Sequence, residues 1–369
     1  MIAWRAGTVV SLGRGWPGAQ EVLTDVGGEH VPALVYGDVV GPVDVGARVL
    51  LNVTALERGL GTGGFALVVA RTASVPADAP AAPGHLVKAR YTPQQVMVLG
   101  VDDQESPHHQ LLQDADDLTG LPVITADLHS ALPAVVAGVR HAAAVAGRPA
   151  PNVAYVMTDG GALPAAFSRT VAALREAGWL AACITAGQAY GGDLEAVSVH
   201  SALLAARLVA GADVVVVAQG PGNLGTDTRW GFSGVLAGDA VNAAATLRGR
   251  PVASLRVSGA DPRPRHRGIS HHSLTAYGRV ALAAADVPVP VFRSLGADLD
   301  DLTAQVRAQA SALAVRHRLV EVPADGDLLA ALRRCPVRLS TMGRGLDDDP
   351  ASFLAAAVAG MHAQGLAAG

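Results

Sequence analysis

Two rhythms of apolar and polar residues divide this chain. Over residues 1–72, short β-rich runs at 7–10, 31–36, 47–51 and 65–69 are bounded by Gly, Pro and Asp, the pattern of brief strands joined by tight turns. Runs of this length and spacing predict about five strands closed into a small barrel. Residues 73–84 are rich in Ala and Pro and read as a linker. From 85 to 369, apolar runs of strand length alternate with helical stretches, the signature of a parallel sheet covered on both faces. The expected fold is α/β, a mostly parallel sheet covered by helices, with a small N-terminal β-barrel-like domain. Sheet strands are predicted at 96–101, 122–126, 153–157, 180–185, 214–218 and 252–257. Helices are predicted at 131–146, 164–177, 194–210 and 237–247. The last quarter reads as a helix at 298–316, a strand at 319–322, a helix at 326–334, a strand at 337–340 and a final helix at 350–364.

Composition narrows the function classes. The chain is 50% hydrophobic and 16% charged, which excludes disorder. Aromatics at 4% and a net charge of -4 argue against a nucleic-acid partner. Two cysteines, Cys183 and Cys335, imply no disulfide framework and point to a reducing compartment. The most apolar stretch, 202–218, is broken by Arg207 and Asp213 and cannot span a bilayer unaided. The N-terminus lacks a signal-peptide run, so a cytoplasmic protein without a membrane partner is expected, with a homodimer compatible with an exposed barrel edge. Of 28 Lys and Arg residues only Lys88 is lysine. A lysine kept in so arginine-rich a chain suggests a position that requires a compact, titratable ammonium, and Lys88 is a catalytic or anion-binding candidate for that reason.

In open parallel sheets, ligands bind beyond the carboxyl ends of the strands, and the polar residues of this chain gather there. Asp127 and His129 follow the strand at 122–126, as an acid/base pair or two metal ligands; alternatively Asp127 caps the next helix. Asp159 precedes Gly160 and Gly161, either a ligand-approach turn or a plain turn. Gly220, Gly222 and Asn223 lie in a G-x-G-x-x-G match, with Arg229 nearby. No helix follows at once, which disfavours a dinucleotide site and leaves an anion-binding loop. The densest cluster contains Arg265, His266, Arg267, His271 and His272, suited to clamping a carboxylate or phosphate, binding a metal or moving protons. Arg344, between two glycines, folds back as a further anion contact. The candidate metal ligands are Asp127, His129, Asp159 and His272, with a divalent ion as the expected cofactor. Catalytic candidates are Asp127, His129, Asp159, Lys88 and His271. No G-x-S-x-G elbow or H-E-x-x-H motif is present.

His85-Leu86-Val87-Lys88-Ala89-Arg90-Tyr91-Thr92-Pro93, Val156-Met157-Thr158-Asp159-Gly160-Gly161-Ala162-Leu163-Pro164 and the segments 219–226, 266–273 and 340–345 resemble a family found mainly in actinobacteria, catalogued as domain of unknown function 3866. The resemblance covers essentially the whole chain, from the barrel to the last helix, and brings no activity with it. The residues themselves point to an enzyme acting on a small anionic substrate, phosphorylated or carboxylated, by hydrolysis or phosphoryl transfer with metal assistance. The alternatives are a metabolite-sensing or partner-binding protein that uses the same pocket, and a purely structural role for the strand-end residues.

Overall fold

The computed structural model describes residues 1–78 and 80–367; Ala79, within the expected linker, and Ala368 and Gly369, at the end of the expected α/β domain, lie outside the described residues. Strands β1 (Trp4–Trp16), β2 (Ala19–Val26), β3 (Glu29–Tyr36), β4 (Arg48–Asn52) and β5 (Ala66–Arg71) form a closed barrel in the order β1-β2-β3-β5-β4. Its pairings are antiparallel apart from β3 with β5. Register shifts along β1, between Val9 and Ser11 and between Leu12 and Gly15, bend this long strand, as bulges do. Val9, Val22, Ala33, Val35, Val49, Leu51 and Val68 fill the interior. β2 is absent from the predicted runs because Gln20, Glu21, Thr24 and Asp25 break up its apolar residues.

A short antiparallel hairpin follows, β6 (Leu86–Lys88) with β7 (Val96–Val98). This corrects the expectation that 96–101 is the first strand of the main sheet. Met97 is exposed, so the run is not covered on both faces, and only Gly100 bridges the main sheet, at Glu195.

The main sheet has eight strands: β8 (Pro122–Thr125), β9 (Val153–Thr158), β10 (Ala182–Ala186), β11 (Leu194–Ala196), β12 (Val214–Gln219), β13 (Arg250–Ala253), β16 (Asp286–Phe292) and β17 (Arg318–Ala324). Between β13 and β16, β14 (Val257–Ser258) and β15 (Gly268–Ile269) pair separately as an antiparallel ladder. The main-sheet order is β11-β10-β9-β12-β8-β13-β16-β17, with parallel pairing throughout. β8 therefore lies between β12 and β13, where the chain changes direction across the sheet, the place at which ligand crevices open in such folds.

Alternation along the strands supplies two apolar faces. Val214, Val216 and Ala218 of β12 join one core cluster, and Val215 and Val217 join the other, as a two-residue period requires. The first face is covered by α1 (Leu132–Val145) and, among others, by the last helix (Pro350–Ala367). Helices over Val199–Leu208 and Leu236–Thr246 cover the second. Among the described residues no helix is long and apolar enough to cross a membrane.

Other expectations shift for identifiable reasons. The helix expected from Pro164 begins only at Arg169: α2 (Arg169–Glu176) is capped by Ser168. The stretch expected as a helix from 194 opens as β11, and its helix is started by a capping box at Ser198 and Ser201. The strand expected through 257 stops at Ala253 and resumes as β14. The strand at 337–340 shrinks to β18 (Ser340–Thr341), paired with β19 (Arg344–Gly345). β16 is absent from the predicted strands because Pro288 and Pro290 interrupt the apolar run. Those residues share one side of the strand, and β13 reaches β16 only at Asp286, so the missing N–H groups interrupt no ladder there.

α1 and the last helix approach closely where both lack a side chain. A Cβ on Gly138 would lie 1.9 Å from the Ala357 carbonyl oxygen, and one on Gly360 2.0 Å from that of Val135. The contact is backbone to backbone, so no side chain can yield. We expect Gly360→Ala to lose about 1–3 kcal/mol, the usual cost of overpacking, read as a lower urea midpoint with an unchanged slope.

Candidate functional site

The carboxyl ends of β8, β12 and β13 deliver Asp127, Gln219 and Arg256 to one buried locus. Gln219 Nε2 donates to the Asp127 carbonyl at 2.9 Å and to Asn223 Oδ1 at 2.9 Å, fixing the loop after β12 to the turn after β8. Asp127 Oδ2 is buried without a hydrogen-bond partner among the described residues. Arg256 Nη1 stands 3.7 Å from it and His272 Nδ1 3.8 Å. Burial pushes the Asp127 carboxyl above its ordinary range, and the nearby Arg256 guanidinium opposes that shift. Two small cavities adjoin it: about 30 Å³ lined by Asp127, Arg256, Ser258, Asp261 and Arg344, and about 10 Å³ between Asp127, Thr158, Gln219 and Ser233. Each is the size of one or two waters or an ion.

Beside Arg256 stand three imidazoles. His266, His271 and His272 each offer a ring nitrogen within 4.8 Å of the others. Ser270 caps the short helix from His271 to Thr275, which turns His271 and His272 toward His266. Arg256 Nη1 lies 3.1 Å from His272 Nδ1; a guanidinium only donates, so Nδ1 accepts and the ring proton sits on Nε2. Arg265 Nε likewise donates to His266 Nε2 at 3.3 Å, and His266 Nδ1 meets Ser270 Oγ at 2.8 Å. Phe232 stacks on His272 with centroids 3.8 Å apart and planes 1° from parallel. Burial and the Arg256 guanidinium pull His272 down to about 3 and His266 to about 4. Burial, Arg265 and Arg256 lower His271 as well. All three rings are therefore neutral near pH 7.

The remaining candidates are dispersed. His129 points away from Asp127: its Nδ1 meets the Tyr155 hydroxyl at 3.0 Å and its Nε2 meets Ser168 Oγ at 2.8 Å. Burial pulls this ring down to about 4. Both of its nitrogens are engaged, so the metal set expected from Asp127, His129, Asp159 and His272 is not brought together. Asp159 Oδ2 accepts from the Gln188 amide at 2.8 Å, tying β9 to the turn after β10. The Gly220 amide donates to Thr158 O at 3.1 Å, and a Cβ on Gly161 would lie 2.1 Å from the Gly220 carbonyl. Gly220 thus serves a backbone-to-backbone packing contact, which corrects its reading as part of a phosphate cradle. Gly222 adopts φ +93° with open space around it, and Arg229 and Arg267 are exposed. Arg265 pairs with Asp227 of the glycine-rich loop. Arg344 pairs with Asp261 at 3.0 Å and with Asp349 at 3.4 Å, a structural clasp rather than a free anion contact. Hydrogen bonds from Arg263 hold Asp261 well below the usual carboxylate range.

Lys88 is fully buried. Its ammonium donates to the Thr185 and Ala189 carbonyls at 2.9 and 2.8 Å and pairs with Glu195 Oε2 at 2.8 Å. Glu195 in turn accepts from Thr185 Oγ1 and the Gly191 amide, each at 2.6 Å. Three acceptors exhaust the ammonium's three hydrogens, which corrects the reading of Lys88 as a catalytic or anion-binding group. It fastens the β6–β7 hairpin to β10 and β11. Burial lowers its pKa, and the Glu195 carboxylate opposes this.

The model of the family described as "Protein of unknown function (DUF3866)" matches residues 32–360. The chain belongs to the DUF3866 family. No curated protein matches it. Within this DUF3866 chain a cleft of about 920 Å³ lies away from the histidine cluster, between the β1–β2 turn of the barrel, α2 and the β10–β11 turn. Arg256, Gln219, Phe232 and Ser168 were not among the candidate residues. Arg256 was hidden by a strand drawn through 257, although a charge inside an apolar run is itself a signal, since a buried charge needs a partner.

Two outcomes follow. Lys88→Met should destabilise the DUF3866 fold by about 3–5 kcal/mol, because it strands Glu195 in a buried site, and Lys88→Arg should not restore it; chemical denaturation measures both. His129, His266, His271, His272 and His317 all have folded-state values lowered by burial. The unfolded chain therefore binds more protons below pH about 6.5, the ordinary histidine value, and stability should fall from there as pH drops. A melting temperature flat between pH 7 and 4.5 would contradict this.

Proposed function

We propose that the protein binds a small anionic molecule, phosphorylated or carboxylated, at the cluster of Arg256, Arg265, His266, His271 and His272, and acts on it with His271 as the proton-moving group. The observation that carries this reading is the unequal use of the three imidazoles. His266 and His272 each have a ring nitrogen occupied by an arginine donor. His271 is half-buried, and its ring lies against Phe232, His266 and His272 with no hydrogen bond among the described residues. A neutral imidazole flanked by guanidinium groups suits removal of a proton from a hydroxyl or water next to a bound anion. Arginine forks match the oxygens of phosphate and carboxylate. Hydrolysis and phosphoryl transfer are the reaction classes that combine these two tasks.

A second reading rests on a separate observation, the convergence of three ring nitrogens within 4.8 Å. An all-imidazole set suits zinc, copper or nickel rather than magnesium or calcium. To ligate through their present lone pairs, His272 and His266 would have to release Arg256 and Arg265.

Inorganic phosphate and zinc chloride separate these readings. In thermal-shift and calorimetric titrations we expect phosphate to raise the melting temperature. That gain should vanish in Arg265→Ala, whose exposed side chain makes the substitution safe for folding. One equivalent of zinc retained after dialysis, and lost in His271→Ala, would favour the metal reading. If neither phosphate nor zinc binds the folded protein, the site holds no ligand of either kind.

A further inference from the structure

The cleft of about 920 Å³ beside the barrel lies apart from the histidine cluster. We propose that Ser168 and His129 form a nucleophile–base pair that hydrolyses carboxylic esters with an apolar or aromatic acyl group bound in the cleft between the barrel and the sheet edge. Ser168 lines that cleft, and its Oγ lies 2.8 Å from His129 Nε2. On the other side of the ring, Nδ1 lies 3.0 Å from the Tyr155 hydroxyl. The Tyr155 hydroxyl donates its single hydrogen to the carbonyls of Gln219 and Ala218, 2.9 and 3.1 Å away. It therefore accepts from His129 Nδ1–H. That assignment leaves the Nε2 lone pair facing Ser168, which must donate its own hydroxyl hydrogen. A base oriented by a third group and aimed at a serine hydroxyl is the arrangement nucleophilic catalysis uses.

The surroundings suit the chemistry. Ser168 is the N-cap of α2, and its Oγ also accepts from the Val171 amide at 3.0 Å. The amides of Arg169 and Thr170, in the first turn of that helix, have no intrahelical acceptor. They are donors for a developing oxyanion at the positive end of the helix. Trp16, Tyr36, Val98, Pro164, Val171 and Tyr190 give the cleft its apolar wall. Trp16 Nε1 donates to the Ala166 carbonyl at 2.6 Å, which fixes the barrel side of that wall two residues from Ser168.

The reaction balances without a cofactor. Ser168 Oγ bonds to the ester carbonyl carbon as its proton passes to His129 Nε2, and the carbonyl π pair moves onto oxygen. Return of that pair breaks the bond to the alcohol, which leaves with the proton from His129. Water then gives a proton to His129 and adds to the acyl carbon. The acid departs as Ser168 recovers its hydrogen, so the net change is ester plus water to acid plus alcohol.

The test uses diisopropyl fluorophosphate and p-nitrophenyl butyrate on the full chain. Peptide mass spectrometry should find the diisopropylphosphoryl adduct on Ser168, formed with loss of fluoride, and the ester should turn over. His129→Gln should slow both by about 10²–10⁴-fold, the range for loss of a general base. Ser168→Asn keeps a capping oxygen for α2 and should abolish turnover while retaining the circular dichroism of the wild type. Tyr155→Phe, which keeps the buried ring and removes the hydroxyl that joins His129 to the Gln219 and Ala218 carbonyls, should lower kcat while leaving KM unchanged. A folded wild type that is neither labelled at Ser168 nor active on the ester would overturn the proposal. So would labelling that His129→Gln leaves unchanged.

Discussion

A parallel sheet buried on both faces has only its strand ends free for polar side chains, and the placement of Asp127, His129 and Gln219 follows from that constraint. Along β12 every side chain from Val214 to Ala218 is covered by a helix layer on one face or the other. A polar group in those positions would need a partner inside the sheet. At Gln219 the strand stops, and the first polar side chain beyond the apolar run reaches two neighbouring segments at once. β8 behaves similarly, with an additional turn. Asp127 and His129 are two residues apart, yet one faces Arg256 and His272 while the other faces Tyr155 and Ser168. One short turn thus serves two separate polar environments.

Tyr155 shows how the sheet interior and these environments are joined. It is fully buried in the apolar face of β9, where burial raises its pKa well above the ordinary tyrosine value. Its hydroxyl nevertheless reaches the end of β12 and the ring of His129. The ring of an aromatic residue fills the core while its polar tip meets the strand-end network. Packing and site geometry are therefore set by the same side chain, and a change made for one is felt by the other.

The architecture was legible because its causes are local. Strand-length apolar runs such as 122–126 and 214–218, each ended by a polar residue, show both the sheet and the edge at which the polar residues collect. That Lys88 is singular was also legible, and its compact ammonium suits a fully buried site in which the five hydrogens of a guanidinium would need further acceptors. Its partners were not, because Thr185, Ala189 and Glu195 lie about a hundred positions away in sequence and come close only when β6 docks on the sheet edge. The same holds for Ser168. In sequence it is an ordinary helix cap, and its relation to His129 exists only because β8 and β9 are separated by one strand in the sheet. β16 escaped notice for a different reason: two prolines normally end a strand, and the tolerance here depends on how far β13 extends.

The burial of Lys88 leaves its mark on the outside of the molecule. With the one lysine sealed beneath the β6–β7 hairpin, the permanent positive charge on exposed side chains is carried by guanidinium groups alone. A guanidinium keeps its proton throughout the range in which proteins stay folded. The cationic component of this surface is therefore nearly independent of alkaline pH. Acylation of lysine, which erases charge on most protein surfaces, finds no exposed ε-amino group to modify.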